Sequence, residues 1–141
     1  MLFEDLYVGQ IASISKTVTN ADILMLADVT LDRNPVHLDD AFASRTSFGG
    51  RIAHGTMAIG LISAVLGTQL PGPGTIYLNQ QAQFLAPVRP GDTIKAVVKV
   101  IALRPDKRIV TLETNCYNQD DQAILTGEAV VLLEQISEEE N

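Results

Sequence analysis

The stretch HGTMAIGLISAVLGTQL, residues 54–70, constrains the fold of this chain more than any other. It reads as a helix whose apolar residues Met57, Ala58, Leu61, Ile62, Val65 and Leu66 point nearly all round the axis. A helix apolar on every side has to be enclosed rather than laid on a surface. Gly60 and Ser63 would let another backbone or a ligand approach it closely. The PGPG that follows, residues 71–74, breaks the chain sharply.

What comes next can do the enclosing. TIYLNQQAQFLAPV, DTIKAVVKVIAL, RIVTLETNCYNQ and AILTGEAVVLLEQ all read as strands. The third alternates well, with Val110, Leu112, Thr114 and Cys116 on one side and Thr111, Glu113, Asn115 and Tyr117 on the other. RPGD, RPDK and NQDDQ are turns. Short turns between consecutive strands favour antiparallel neighbours. Upstream, GQIASISKTV is a further strand. TNADILMLADVT is a helix with Thr19 or Asn20 as N-cap, a Thr19–Asp22 pair related to the capping box, and Ile23, Leu26 and Ala27 on one face. LDDAFASRT reads as a short helix and SFGGRIAHG as irregular chain with a Gly-Gly turn. The pattern is an α+β domain in which one sheet wraps a central helix. A length of 141 residues indicates a single domain spanning 1–141. The sheet edges need covering, and pairing two copies edge to edge is one way to do it.

A formal net charge of -7 argues against nucleic acid as partner. It leaves room for an anionic ligand at a local patch or a helix N-terminus. The one cysteine, Cys116, has no internal disulfide partner, which fits a cytoplasmic protein. In its strand pattern it reads as core rather than nucleophile. The start MLFEDLYVGQ lacks a signal-peptide pattern, and no apolar run approaches the roughly 18 residues of a membrane span. The SEEEN end reads as solvated. GPGT lacks P-loop spacing, FGG lacks that of a dinucleotide fingerprint, and no G-x-S-x-G occurs.

Chemistry concentrates in LDRNPVHLDD, residues 31–40. Asp32 precedes His37 on backbone that Pro35 stiffens, and Pro35 bars both a continuous helix and a central strand. A histidine can give or take a proton near neutral pH, and an ionised aspartate can accept from water. Pointing into one cavity, the two could hold a single water. A plainer reading stands beside this one: Asp before Asn-Pro is a frequent turn former, and His37 could simply cap the next helix. His37, Asp39 and Asp40 are clustered, but a zinc site wants three or four convergent ligands and no spaced Cys/His set exists, so no metal is expected. The second constellation is His54-Gly55. Gly55 opens the apolar helix, where backbone N–H groups lack partners and can stabilise a carbonyl gaining negative charge. Equally, Gly55 could serve tight turning while His54 caps or packs.

DRNPVHLD, then GGRIAHGTM, then VRPGDTI, together resemble the MaoC-like, (R)-specific enoyl-CoA hydratases (hydratase 2 type) of hot-dog fold. Order and spacing agree from GQIASIS to GEAVVLL, nearly the whole chain. The D-x4-H element inside D-x-N-P-[LV]-H-x-D is the specific part. One departure is Leu31, which stands where many relatives carry a small residue, often glycine. The resemblance implies a five-stranded antiparallel sheet wrapped around a long central helix, with short overhanging helices. It implies a homodimer, or a dimer of dimers, with a thioester site at the interface. It implies reversible hydration of trans-2-enoyl-CoA to (R)-3-hydroxyacyl-CoA, with no cofactor because CoA is part of the substrate. Matched by position, Asp32 and His37 are the catalytic dyad, Gly55 N–H faces the thioester carbonyl, and Ser63 is a small polar helix residue near the dyad. Asn34 and His54, inside the two motifs, count as supporting residues. Two other readings remain: a 3-hydroxyacyl dehydratase acting on an acyl-carrier protein or another carrier, and a hot-dog protein that binds acyl thioesters without turning them over.

Overall fold

The computed structural model describes residues 1–135. After a short 3-10 turn at Phe3–Asp5 come β1 (Ile11–Thr17), α1 (Asn20–Thr30), α2 (Pro35–Leu38), α3 (Asp40–Ser44) and α4 (Gly55–Thr68). Then follow β2 (Thr75–Phe84), β3 (Thr93–Arg104), β4 (Ile109–Tyr117) and β5 (Ala123–Leu133). The expected solvated SEEEN end falls outside the described residues.

The five strands form one antiparallel sheet in the order β1-β3-β4-β5-β2, curled around α4. Each strand expected from sequence is present. Val110, Leu112, Thr114 and Cys116 of β4 all face inward and are fully buried. They meet Ala58, Ile62, Val65 and Leu66 of α4, along with inward residues of β3 and β5 such as Val98, Leu125 and Val131. Burial pushes the Cys116 thiol up to about 12, so at neutral pH it is a protonated core residue. The β2–β5 pairing is close enough that Gly127 cannot be replaced: a Cβ there would fall 1.9 Å from the Gln81 carbonyl oxygen.

Two expectations need correcting. β2 and β3, joined by only a short link, are not neighbours, because β2 pairs with β5 at one edge while β3 sits beside β1 near the other. The link at 85–92 instead crosses the end of the sheet. Leu85 N–H donates to the Ile124 carbonyl, the Val88 carbonyl accepts from Ala53, and Gly91 N–H donates to the Val18 carbonyl. The link thus passes beneath the N-terminus of α4, and no turn motif reveals such a route. The second correction concerns α4, which is not enclosed on all sides. Thr56, Gly60 and Ser63 lie on an exposed face, because the sheet covers only the side carrying the large residues.

Helix α1 begins as expected. Thr19 is the N-cap: its side chain accepts from Asp22 N–H, and the Asp22 carboxylate accepts from Thr19 N–H at 2.9 Å. That bond, with Lys16 at 3.1 Å, holds the Asp22 carboxyl below its usual range. The helix ends at Leu31, whose φ of 66° is left-handed.

Candidate active site

Leu31 sets the path of the residue that follows it. A left-handed C-cap is normally glycine, and a side chain there costs roughly 1–2 kcal/mol. The Leu31 side chain recovers little, being 75% exposed. Leu31 at this cap is therefore a matter of backbone strain. Leu31→Gly should raise the stability of the fold and Leu31→Val should lower it, by about 1 kcal/mol in each direction. Paired chemical denaturation curves measure this, and a stabilised Val variant would refute the strained cap.

Past Leu31, the chain is locked by local bonds. Asp32 N–H donates to Thr30 Oγ1, Asp32 Oδ1 accepts from Asn34 N–H at 3.3 Å, and Asn34 Oδ1 accepts from Val36 N–H at 3.1 Å. Asn34 is thus the N-cap of α2, and Pro35 is its first residue, where a missing N–H costs nothing. Proline starts a helical turn here, and that turn carries His37 inward. His37 does not cap the next helix; Asp39 does, accepting from Phe42 N–H.

His37 is 8% exposed, and its Nδ1 lies 2.7 Å from the Ile52 carbonyl oxygen. A carbonyl only accepts, so Nδ1 carries the proton and Nε2 is left for chemistry. His54 is 2% exposed, and its Nε2 donates to the main-chain carbonyl of Asp32 at 2.9 Å. The two imidazoles stack with centroids 4.0 Å apart and planes inclined by 30°. A ligating atom from each of Asp32, His37 and His54 lies within 4.8 Å of the other two. Such a group could in principle hold a cation. Here one nitrogen of each ring is committed to a carbonyl, and stacked rings send their in-plane lone pairs side by side instead of towards one point. The donor set therefore fits a proton relay better than a metal.

These groups border a cavity of about 310 Å³ lined by His37, His54, Gly55, Ala58, Phe48 and Phe84, with the 85–88 link as its floor. Its lining is mostly apolar, as expected of a site for an acyl group. The Asp32 carboxylate stands beside it, exposed to solvent. A larger cavity of 380 Å³, between the first five residues and Arg108, Leu133 and Glu134, holds no histidine. Chemistry rather than size marks the first as the site. Gly55 is the opening residue of α4, so its N–H has no intrahelical acceptor and is available to a ligand. Gly55 also packs tightly: a Cβ would sit 2.8 Å from Cε1 of Phe84. Arg89 braces the opposite wall through the carbonyls of Gly50 and Phe48, at 3.1 and 2.5 Å.

Asp32, His37, His54 and Gly55 are therefore brought together, while Asn34 shapes the loop. Ser63 is not part of this cavity. It lies on the exposed face of α4, about 12 Å further along the helix than Gly55. It makes no bond back to Ile59 among the described residues. Phe84 at the end of β2, and Arg89 and the Ile52 carbonyl in loops, are not legible as site elements, since a ring, a guanidinium and a main-chain oxygen carry no pattern there.

Comparison with known proteins gives a consistent picture. The MaoC like domain family matches residues 9–122. An (R)-specific enoyl-CoA hydratase of Rhodospirillum rubrum is 48% identical over 131 residues, covering 93% of this chain and 90% of that protein. A 3-hydroxybutyryl-CoA dehydratase of Methylorubrum extorquens is also 48% identical, covering 93% and 83%. The solved structure of an (R)-hydratase from A. caviae involved in PHA biosynthesis superposes with a TM-score of 0.89 at 46% identity, covering 93% of this chain and 99% of that one.

Proposed function

This chain belongs to the MaoC-like domain family, and from that premise we propose that it is an (R)-specific enoyl-CoA hydratase, a lyase that reversibly adds water to trans-2-enoyl-CoA. One observation carries the reading: Asp32, His37 and the free N–H of Gly55 gather at one apolar cavity. Asp32 and His37 Nε2 hold a water between them. Asp32 takes its proton as the hydroxyl adds to Cβ. The negative charge that moves onto the thioester oxygen is stabilised by Gly55 N–H and the helix N-terminus, a donor of a kind worth about 2.7–4 kcal/mol. The proton taken by Asp32 passes to His37 Nε2, and the imidazolium so formed gives it to Cα while Nδ1–H keeps its hold on Ile52. The step is redox-neutral and all its protons are handled by the dyad, so it calls for neither metal nor redox cofactor.

Hydration of crotonyl-CoA, followed by loss of enoyl absorbance, tests this directly. The product should be the R enantiomer, formed by syn addition in D2O, because both dyad members work from one loop and Gly55 fixes the face presented to them. Tight binding without turnover would make the protein a thioester binder. Faster turnover of acyl-carrier-protein substrates would move it to the dehydratase reading. Predominantly S product would rule out the one-sided geometry.

The same reading includes a homodimer, alone or paired into a dimer of dimers. Edge strand β2 leaves Ile76 and Leu78 about half exposed, α1 exposes Leu24, Met25 and Val29, and the small-residue face of α4 is open. Ser63 lies on that face, so any part it plays at a site depends on a second copy. Sedimentation at micromolar concentration should give a dimer or larger assembly, and an active monomer would refute the interface. No helix of the described residues is long and apolar enough to cross a membrane. A cytoplasmic location is our reading, supported by the single buried cysteine.

A further inference from the structure

Nothing in the acid–base scheme uses His54, yet it contacts both members of the dyad. It is 2% exposed and caps no helix with its ring. Its Nε2 holds the Asp32 carbonyl at 2.9 Å, its face lies 4.0 Å from the His37 ring, and its backbone directly precedes Gly55. Its Nδ1 is buried with no hydrogen-bond partner among the described residues. A buried polar atom without a partner costs free energy, so a histidine with one idle nitrogen is a poor choice for filling space alone.

From this we infer that His54 is a positioning residue of the hydratase: through its Nε2–H bond it fixes the main chain of Asp32. The inference rests on the hydratase reading. Asp32 is otherwise held by side-chain bonds within its own exposed loop. Among the described residues, the His54 bond is the one that ties it to the buried frame at the start of α4. Without it, the carboxylate is free to drift relative to Gly55, and misplacement by about 1 Å can cost about a hundredfold in rate. The bond also dictates a tautomer. His54 must carry its proton on Nε2 with Nδ1 bare, whereas His37 carries its proton on Nδ1.

The chain has only two histidines, so long-range 1H–15N spectra of the unmodified protein contain four imidazole nitrogens. At neutral pH, His54 should show a protonated Nε2 and an unprotonated Nδ1. The opposite tautomer would overturn the inference without any variant being made. Kinetics supply the second arm. His54→Phe keeps a stackable ring and removes the donor; His54→Gln keeps a donor at similar reach and removes the ring. With crotonyl-CoA, His54→Phe should lose about 10–100-fold in kcat while KM stays within about twofold, and His54→Gln should recover to within about fivefold of the parent kcat. Equal losses in both variants, tracking lowered melting temperatures, would reduce His54 to a structural role and overturn the inference, as would full activity in His54→Phe. If neither variant folds, the tautomer alone decides. A parent protein that hydrates no enoyl thioester would defeat the hydratase reading, while the spectra would still report whether the His54–Asp32 bond exists.

Discussion

Asp32→Asn should lower kcat for crotonyl-CoA hydration by about 10²–10⁴-fold while the melting temperature stays nearly unchanged. The amide keeps the shape of the carboxylate and can still accept from Asn34 N–H, the one bond the Asp32 side chain makes among the described residues. It loses the basic oxygen that takes the proton from water. Asp32 is exposed, so no burial is lost on substitution. Retention of more than about a tenth of the parent rate would show that another group is the base, since general-base contributions rarely fall so low.

His37→Asn should cost a similar factor, about 10²–10⁴ in kcat, for a different reason. The asparagine amide can stand in for Nδ1–H and keep the bond to the Ile52 carbonyl, but nothing replaces Nε2. The two losses should not add. A water held between two partners is misplaced when either is gone, so the double variant should be only slightly slower than the slower single one. Rate constants for all four proteins, measured at saturating substrate, check this. Losses that multiply would mean that Asp32 and His37 act on separate protons without sharing a water.

Much of this arrangement is legible in the sequence. Strands β3 to β5 announced themselves by alternation and turn chemistry, and the Thr19–Asp22 cap by its spacing. The motif around Asp32 and His37 pointed to the acid–base pair. What escaped depends on contacts between residues distant along the chain. The route of the 85–92 link is set by bonds to Ala53 and Val18, which lie far away in sequence. The open face of α4 escaped because apolar and small residues look alike in a periodicity reading, although only the large ones meet the sheet. His54 was ambiguous for the same reason: its partner is a carbonyl 22 residues upstream, and carbonyls are the same at every position.

That uniformity has a consequence for how the site can change over time. Both imidazoles are aimed by main-chain oxygens, those of Ile52 and Asp32. A side-chain acceptor can be deleted by one substitution; a carbonyl survives every substitution and is moved only by a change in the chain's path. The aim of His37 is therefore insulated from drift at position 52, whose side chain also lines the cavity. Reshaping that wall with larger or smaller residues at 52 should retune which acyl groups fit and leave the proton chemistry in place. An insertion or deletion between His37 and His54 would have the opposite effect. The site can thus diversify in substrate by point mutation, with its reaction protected by the backbone.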